Sequence, residues 1–153
     1  MGWLEVKDQK DIKNMMDTFG WFHDSCLKEL YMSTESYVNE ELSMAVPSGL
    51  DTNVRILFQR QFRNPSAIEL LFEGVTQFHI LPSPENYDSI IYDASLLLHN
   101  DFFYWLDQGD WKPGDKTFDS TSWIAATRLK WRDASSWMGK ENRYGVIEKT
   151  LNN

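Results

Sequence analysis

The sequence predicts an α+β fold that is mainly antiparallel β, with an N-terminal helix followed by about seven strands in a curved sheet, a sandwich or a partly open barrel. Hydrophobic residues recur at helical spacing only within the first twenty positions, and from Asp24 onward they follow period two between closely spaced turn residues. The 153 residues fit a single domain with one core. We therefore expect one domain with a helical lead-in over residues 1–20, a β core over 24–132 and a tail over 133–153.

The N-terminal helix is predicted from five apolar side chains that fall on one side at helical spacings. They are Leu4, Ile12, Met15, Met16 and Phe19. Asp8 or Asp11 is placed to cap the start, and Gly20 is placed to end the helix. After Gly20 the helical pattern is lost, so the helix is expected to be the first element and a strand the next.

Two segments and the turn between them predict the first hairpin. Residues 53–61, "NVRILFQRQ", and residues 67–74, "AIELLFEG", both follow period two. The intervening Asn-Pro-Ser at 64–66 cannot continue a strand ladder. A further segment, "VTQFHIL", follows Gly74 directly, and the glycine permits either a tight reversal or a bulge there.

A second hairpin is predicted within residues 89–107, where two apolar runs flank the turn-forming His-Asn-Asp at 99–101. The last strand, "WIAATRLKWR", spans residues 123–132, and strict period two divides its side chains between two faces. The face expected to be buried carries Trp123, Ala125, Thr127, Leu129 and Trp131, and the other face carries Ile124, Ala126, Arg128, Lys130 and Arg132.

Composition and charge exclude several classes of partner. The chain has 23 acidic and 15 basic residues and a formal net charge of −8, which repels nucleic-acid phosphates and anionic lipid. No apolar run approaches the roughly 18 residues of a membrane span, and the first residues do not resemble a signal peptide. The single cysteine, Cys26, cannot form an internal disulfide, and we interpret it as a small buried hydrophobe. We expect a cytoplasmic protein with no nucleic-acid or membrane partner and no cofactor.

Residues 20–31, "GWFHDSCLKELY", place the residue types of a hydrolase side by side: His23, Asp24, Ser25 and Cys26. Neighbouring side chains on a strand point to opposite faces, so a contiguous set does not form a catalytic triad. The favoured interpretation is that His23 and Asp24 hydrogen-bond to the backbone where the helix joins the first strand. The alternative is a small hydrolase or metal-dependent enzyme, which requires this pair to converge with His79 or His99 within about 3–5 Å of a shared cleft.

The connection from residue 107 to residue 119 is rich in aspartate. Its acidic members are Asp107, Asp110, Asp115 and Asp119. They lack the alternate-residue spacing and the closing glutamate of a helix–loop–helix calcium site, so we interpret this segment as a solvated acidic loop without a metal. Trp111 in the same loop either folds back as a lid on the core or is an exposed anchor for a partner.

The last strand carries a basic row in this acidic chain. Arg128, Lys130 and Arg132 recur at every second position. They either attract an anionic ligand or form cross-strand ion pairs with Asp93 and Asp107 of the neighbouring hairpin, and the ion pairs are the favoured interpretation. Together with the loop tryptophan, these three cations are the candidate binding residues.

Several segments together resemble a group of small uncharacterised bacterial proteins that share an FHDS-type start and a KWR-type last strand. They are "WFHDSCLKELYM", "RILFQRQ", "IELLFEGV", "IIYDASLLL", "FFYW" and "ATRLKWR". The resemblance spans residues 18–132 and implies a bacterial origin, and no catalytic residue carries over from it. The chain is also similar to immunity proteins that accompany bacterial toxins.

Three functions are compatible with these observations. The first is a non-enzymatic protein-binding or immunity-type protein of the cytoplasm, whose basic protein partner is steered by the net charge of −8. The second is the small hydrolase or metal-dependent enzyme built on His23 and Asp24. The third, suggested by the 14% of aromatic residues, is a barrel that binds a small apolar ligand. We favour the first, because the pattern contains no coherent catalytic set.

Overall fold

In the computed structural model, which describes residues 2–116 and 121–145, the chain is mainly antiparallel β, as predicted. The elements in chain order are β1 Leu4–Val6, α1 Gln9–Thr18, β2 Ser25–Ser33, β3 Tyr37–Val38, β4 Met44–Ala45, β5 Asn53–Arg60, β6 Ala67–His79, β7 Ser95–His99, β8 Phe102–Leu106 and β9 Trp123–Asp133. All of the strand pairings given below are antiparallel. No helix in the described ranges is long and apolar enough to cross a membrane.

The helix is not the first element, which corrects the predicted order. Leu4 lies in β1, where it pairs with Trp131 of β9 and is exposed, instead of joining the buried side of the helix. A strand of three residues is too short to show period two, so periodicity does not separate β1 from α1. The cap is as predicted, because Asp8 begins α1 by accepting the Asp11 backbone N–H at 2.9 Å.

Seven strands form one sheet in the order β2–β5–β6–β9–β8–β7, and β1 joins it beside β9. One edge of β9 pairs with β6, and the other edge pairs with β8 at Trp123–Ala126 and with β1 at Leu129–Trp131. The strands β3 and β4 form a separate hairpin on the connection between β2 and β5. The two predicted hairpins are β5–β6 and β7–β8, and the second reverses at Asn100 and Asp101.

Gly74 produces a bend within β6 and not a reversal. The segments predicted on either side of it form one strand, and its φ of +61° lies in the left-handed region that favours glycine. Core positions change from even to odd numbers across the bend, because Phe72 and Val75 both belong to the core. The same change occurs on β9 between Ala126 and Leu129. The bend therefore shifts the period-two pattern of both strands.

This shift corrects the predicted faces of the last strand. Leu129 and Trp131 are buried, as expected. Beyond the bend the expected faces are reversed, because Ile124 is fully buried in the core and Trp123 is only partly buried. Strict period two fails here because the bend at Gly74 is transmitted across the β6–β9 pair.

The sheet curves around a core that α1 covers. The rings of Phe58 on β5 and Trp105 on β8 lie 5.3 Å apart, although two strands separate β5 from β8 in the sheet. Met15 of α1 is fully buried in the same core. At the open side, the Ile91 N–H before β7 donates to the Ser25 carbonyl of β2 at 2.7 Å. The architecture is therefore a strongly curved open sheet. One edge strand, β2, contacts the segment that precedes the other edge strand, β7, at an isolated bridge.

The outer face of the sheet holds a fully buried glutamate and is covered by residues 134–145. The Glu69 carboxylate accepts hydrogen bonds of 2.5–2.9 Å from Arg55, Arg132 and the Tyr144 hydroxyl. Burial, and then the hydrogen bond to the carboxylate, raise the pKa of Tyr144 well above its usual range, which keeps the hydroxyl protonated as a donor. The polar cluster is therefore satisfied within the fold.

Candidate functional site

The segment that joins α1 to β2 contains a left-handed turn. Gly20, Trp21 and Phe22 have successive φ values of +59°, +57° and +63°, and Asp24 follows at +57°. Residues with side chains rarely adopt this region in succession, and each costs about 1–3 kcal/mol. Backbone strain of this kind persists only where the surrounding structure holds it, and it is concentrated at functional sites. The turn therefore marks residues 20–24 as a candidate site.

Phe22 anchors the turn in the core, and Trp21 projects from it. The Phe22 ring is fully buried and packs edge-on against Phe19 and Phe58, at 5.1 and 4.9 Å between ring centroids. Trp21 is 46% exposed, and its carbonyl accepts the Ala94 N–H at 3.0 Å. The turn thus holds one aromatic side chain inside the protein and the preceding one at the surface.

His23 lies at the surface beside two carboxylates. Its Nδ1 is 2.7 Å from the Tyr92 carbonyl oxygen, and because a carbonyl only accepts, Nδ1 carries the proton and donates it. Its Nε2 is 3.5 Å from Asp24 Oδ2, and Nδ1 is 4.0 Å from Asp93 Oδ1. His23 therefore bonds to the backbone, as the favoured interpretation expects. The Asp24 carboxylate makes no backbone hydrogen bond among the described residues, so the interpretation does not hold for it.

The histidines that the enzymatic alternative requires occupy other parts of the sheet. His79 ends β6, and His99 lies at the β7–β8 reversal, where it contacts Asn100. Within residues 2–116 and 121–145, no group of three or more His, Cys, Asp or Glu side chains is placed to hold a metal ion. The alternative based on His23 and Asp24 therefore depends on these two residues and their immediate neighbours.

Ser25 and Cys26 follow the turn at the start of β2. The Ser25 side chain is buried, and its hydroxyl donates to the Phe22 carbonyl at 2.6 Å, so it helps to close the turn. Cys26 is partly buried instead of buried as predicted, because β2 is an outer strand of the sheet. The Ser25 hydroxyl therefore stabilises the local fold.

A cavity of about 460 Å³ lies beside the turn, between two tryptophans. Its lining side chains include Trp21, Asp93, Asp110, Trp111 and Lys112, and we call it the tryptophan cleft. Asp93 both lines the cleft and lies 4.0 Å from His23. The structure therefore brings His23 and Trp111, which are separate candidates in the sequence, to one region of the surface.

Trp111 is partly buried, and its position combines features of the two predicted alternatives. Its ring lies 6.0 Å from that of Tyr104, and its backbone N–H donates to the Ser95 hydroxyl at 3.0 Å, so the loop folds back toward β7 and β8. The indole Nε1–H is buried and has no acceptor among the residues that the structure describes. The ring nevertheless lines the tryptophan cleft, where a partner can reach it.

The tryptophan cleft has an acidic rim. Asp93 and Asp110 line it, and Asp17 accepts a hydrogen bond from the Trp21 indole at 3.2 Å. Lys112 supplies a single positive charge among the described lining residues. Because indole faces attract cations and the nearby carboxylates add to that attraction, the cleft favours a positively charged group.

The basic row of β9 faces acids of β6, which corrects the pairing expected with Asp93 and Asp107. Lys130 lies 3.1 Å from Glu73, and the exposed Arg128 lies 4.0 Å from the same carboxylate. β6 adjoins β9 and places Glu73 directly opposite Arg128, so the ion pairs form between neighbouring strands. The cross-strand pairing is as expected, but the acidic partners are different.

Arg132 has a structural position. Its Nε donates to the buried Glu69 carboxylate at 2.7 Å, and its guanidinium lies 4.2 Å from the centre of the Trp3 ring and 5.4 Å from that of Trp137. These contacts occupy the side chain within the polar cluster of the outer face. The predicted ion pair of Arg132 with Asp93 or Asp107 is therefore wrong, because its partner is Glu69.

The acidic loop is solvated only in part. Asp110 and Asp115 are exposed, and Asp115 accepts the Lys112 backbone N–H at 2.8 Å. Asp107 is partly buried, and burial raises its pKa to about 6. Asp119 lies outside the described residues. Among the described acids of the loop, Asp107 therefore departs most from the predicted solvated position.

The sequence pattern does not identify Trp21 and suggests Asp93 only as an ion-pair partner. The available signal for Trp21 is Gly20, which precedes two aromatic residues at a helix end and permits a left-handed conformation. The pattern also misses a set of exposed apolar side chains on and around the β3–β4 hairpin. They are Tyr31, Met32, Tyr37, Val38, Leu42, Met44, Val46 and Leu50.

Comparisons with protein-family models, curated proteins and solved structures find no match to the chain.

Proposed function

We propose that the protein is a non-enzymatic binding protein that recognises a basic protein through the tryptophan cleft. The left-handed turn at residues 20–22 carries this proposal, because it holds Trp21 46% exposed next to Trp111 and an acidic rim. Tryptophan is enriched among the side chains that dominate binding energy at protein interfaces. A strained backbone that presents one to solvent is better explained by binding than by folding alone.

The charge of the cleft indicates the chemistry of the partner. Asp93 and Asp110 lie beside indole rings, which suits an inserted arginine or lysine side chain through ion pairing and cation–π contact. The net charge of −8 attracts a basic partner over a longer range and raises the rate of association. An immunity-type role, suggested by the sequence resemblance, is the specific case in which this partner is a basic toxin.

Affinity capture with matched variants tests this proposal. Wild type, Trp21→Ala and Tyr37→Ala are immobilised and exposed to a lysate of the source organism at low and moderate salt, and captured proteins are identified by mass spectrometry. Tyr37 is a matched control because it is an aromatic residue, 62% exposed, that lies on the β3–β4 hairpin. We expect a basic protein that wild type and Tyr37→Ala retain and Trp21→Ala loses, with weaker capture at the higher salt.

Three results would contradict the proposal. One is the absence of a captured protein at both salt concentrations, and another is a captured protein that Trp21→Ala retains. A loss of capture in Tyr37→Ala alone would assign the interface to the β3–β4 hairpin instead of the tryptophan cleft. Circular dichroism checks the fold of each variant. A further variant, Trp21→Phe, keeps an aromatic ring and is expected to retain part of the affinity for the partner.

The alternative function, a small hydrolase that uses His23 and Asp24, is favoured by one observation. The His23 side chain is 61% exposed and its Nδ1–H is held by the Tyr92 carbonyl, which leaves Nε2 as the basic nitrogen. Hydrolysis of an ester and phosphoester panel by wild type and Tyr37→Ala, but not by His23→Ala, would support this alternative. Equal background rates for all three proteins would exclude it for those substrates.

A further inference from the structure

A second cavity, of about 600 Å³, lies where the two ends of the curved sheet meet. Leu27 of β2, Ile80 after β6 and Ile91 before β7 form apolar walls, and Trp105 and Asp107 line the cavity from β8 and the loop that follows it. The volume falls within the roughly 300–1,000 Å³ that is typical of small-molecule sites. We call this space the sheet-end cavity.

Backbone hydrogen bonds hold the walls of the sheet-end cavity in place. The Ile91 N–H donates to the Ser25 carbonyl at 2.7 Å, and the Leu81 N–H donates to the Ser122 hydroxyl at 3.0 Å. The Asp107 N–H donates to the Ser122 carbonyl at 2.9 Å. Because these bonds connect separate segments of the chain, the cavity is formed in advance of binding, which lowers the conformational cost of taking up a ligand.

Trp105 carries a hydrogen-bond donor that the fold does not use. The residue is almost fully buried, and its ring packs against Phe22 and Phe58 at 5.7 and 5.3 Å between centroids. Its indole Nε1–H is buried and has no acceptor within the described part of the chain. A buried donor without a partner costs about 1–3 kcal/mol. Because a water-sized group cannot reach this nitrogen, Trp105 contributes apolar surface and no hydrogen bond to the sheet-end cavity.

Asp107 makes the sheet-end cavity negative. The described lining residues include a second acid, Asp88, and no basic side chain. Burial raises the pKa of Asp107 to about 6, so the carboxylate is ionised at neutral pH but is poorly solvated. A cation next to this carboxylate would compensate for the solvation that burial removes.

We infer that the sheet-end cavity binds a small organic cation, an amine with an apolar body. The ammonium group pairs with Asp107, and the apolar body contacts Leu27, Ile91 and the Trp105 side chain. Among the described residues, the sheet-end cavity and the tryptophan cleft share no lining residue, so small-molecule binding here and protein binding there can be tested separately.

Calorimetric titration of the full chain with matched probes tests this site. The probes are 2-(4-methoxyphenyl)ethylamine, 2-(4-methoxyphenyl)ethanol and 3-(4-methoxyphenyl)propionate, which share one apolar body and differ in charge. At pH 8 the amine is expected to bind about tenfold more tightly than the carboxylate, with the alcohol between them.

Three variants locate the binding. Asp107→Asn is expected to weaken the amine about tenfold and to leave the alcohol within about twofold of wild type. Ser89→Trp, at the exposed rim of the cavity, is expected to weaken all three methoxy probes. Asp101→Asn makes the same chemical change at the exposed reversal between β7 and β8, outside the described lining of both cavities, and is expected to leave all affinities unchanged. Circular dichroism confirms that each variant is folded.

Three outcomes would overturn the assignment. The first is that none of the probes binds at millimolar concentration. The second is amine binding that Asp107→Asn leaves unchanged. The third is selectivity for the amine that persists in Asp107→Asn and is lost in a further variant, Asp93→Asn, because the cation would then bind in the tryptophan cleft.

Discussion

At the scale of single residues, Arg132 neutralises a carboxylate that has no contact with solvent. Glu69 is fully buried, and its other partners are Arg55 and Tyr144. Removing one partner leaves a buried charge incompletely compensated, so we expect Arg132→Ala to lower the free energy of unfolding by about 3–5 kcal/mol. Arg128→Ala is the matched control; Arg128 is 57% exposed and 4.0 Å from its acid, so its loss should cost less than about 1 kcal/mol.

Urea unfolding of the two variants measures this difference. Similar free energies for Arg132→Ala and Arg128→Ala would show that the buried cluster contributes no more than a surface pair. Trp131→Ala is expected to cost about 3–5 kcal/mol as well, because it removes a buried aromatic ring from the inner core. Trp131 and Arg132 lie on opposite faces of β9, and replacing either one with alanine should therefore lower the free energy of unfolding by a similar amount.

Asp107 makes stability depend on pH in a predictable direction. Its pKa is about 6 in the folded state against an ordinary value of 3.8, so the folded state binds the proton more tightly than the unfolded state. Its ionisation therefore destabilises the fold as the pH rises from about 4 to 6. Because the carboxylate is partly exposed and solvent screens its charge, Asp107→Asn should increase the free energy of unfolding by about 1 kcal/mol at pH 8 and by progressively less toward pH 4. A gain that is the same at both pH values, or no gain, would contradict this assignment.

At the scale of elements, the bend at Gly74 determines which side chains of β6 and β9 enter the core. A side chain at Gly74 would need a φ of +61° and would collide with the Thr127 hydroxyl. We therefore expect Gly74→Ala to cost about 1–3 kcal/mol in thermal or urea unfolding. Gly49→Ala is the control, because no atom of the described residues lies within 4 Å of a Cβ added at Gly49. Equal effects of the two substitutions would mean that the bend is not needed for the fold.

Local signals explain why some elements are predictable from the sequence. The β7–β8 hairpin follows from Asn100 and Asp101, whose positive φ values of +51° and +67° suit a tight turn between two apolar runs. The faces of β9 follow from period two only up to the bend, since the shift at Gly74 depends on pairing with another strand. The short β1 is not visible because three residues carry no periodic signal.

At the scale of the whole molecule, the curvature of the sheet creates the features that the sequence does not reveal. Leu27 and Ile80 meet at one cavity because the ends of the sheet approach each other, and period two contains no information about that closure. Glu69 was not identifiable as buried, because its burial depends on residues 134–145 covering the outer face. His23 and Trp111 were identifiable as candidates by residue type, whereas their proximity depends on the fold.

Net charge gives a further expectation for the whole molecule. The formal charge of −8 and the acidic rim of the tryptophan cleft should accelerate association with a basic partner. Because salt screens this long-range attraction, the association rate constant should fall steeply as ionic strength rises, while the dissociation rate constant changes less. Stopped-flow measurements with the captured partner test this, and an association rate that is independent of salt would contradict electrostatic steering.

The affinity of the captured basic partner for wild type and for Trp21→Ala tests the proposed binding function most directly. Calorimetry in a single buffer should show that Trp21→Ala weakens binding by about 2 kcal/mol or more, which is roughly thirtyfold in the dissociation constant. Tyr37→Ala should change the binding free energy by less than about 0.5 kcal/mol. Equal affinities of wild type and Trp21→Ala would contradict the conclusion that the left-handed turn presents Trp21 for binding.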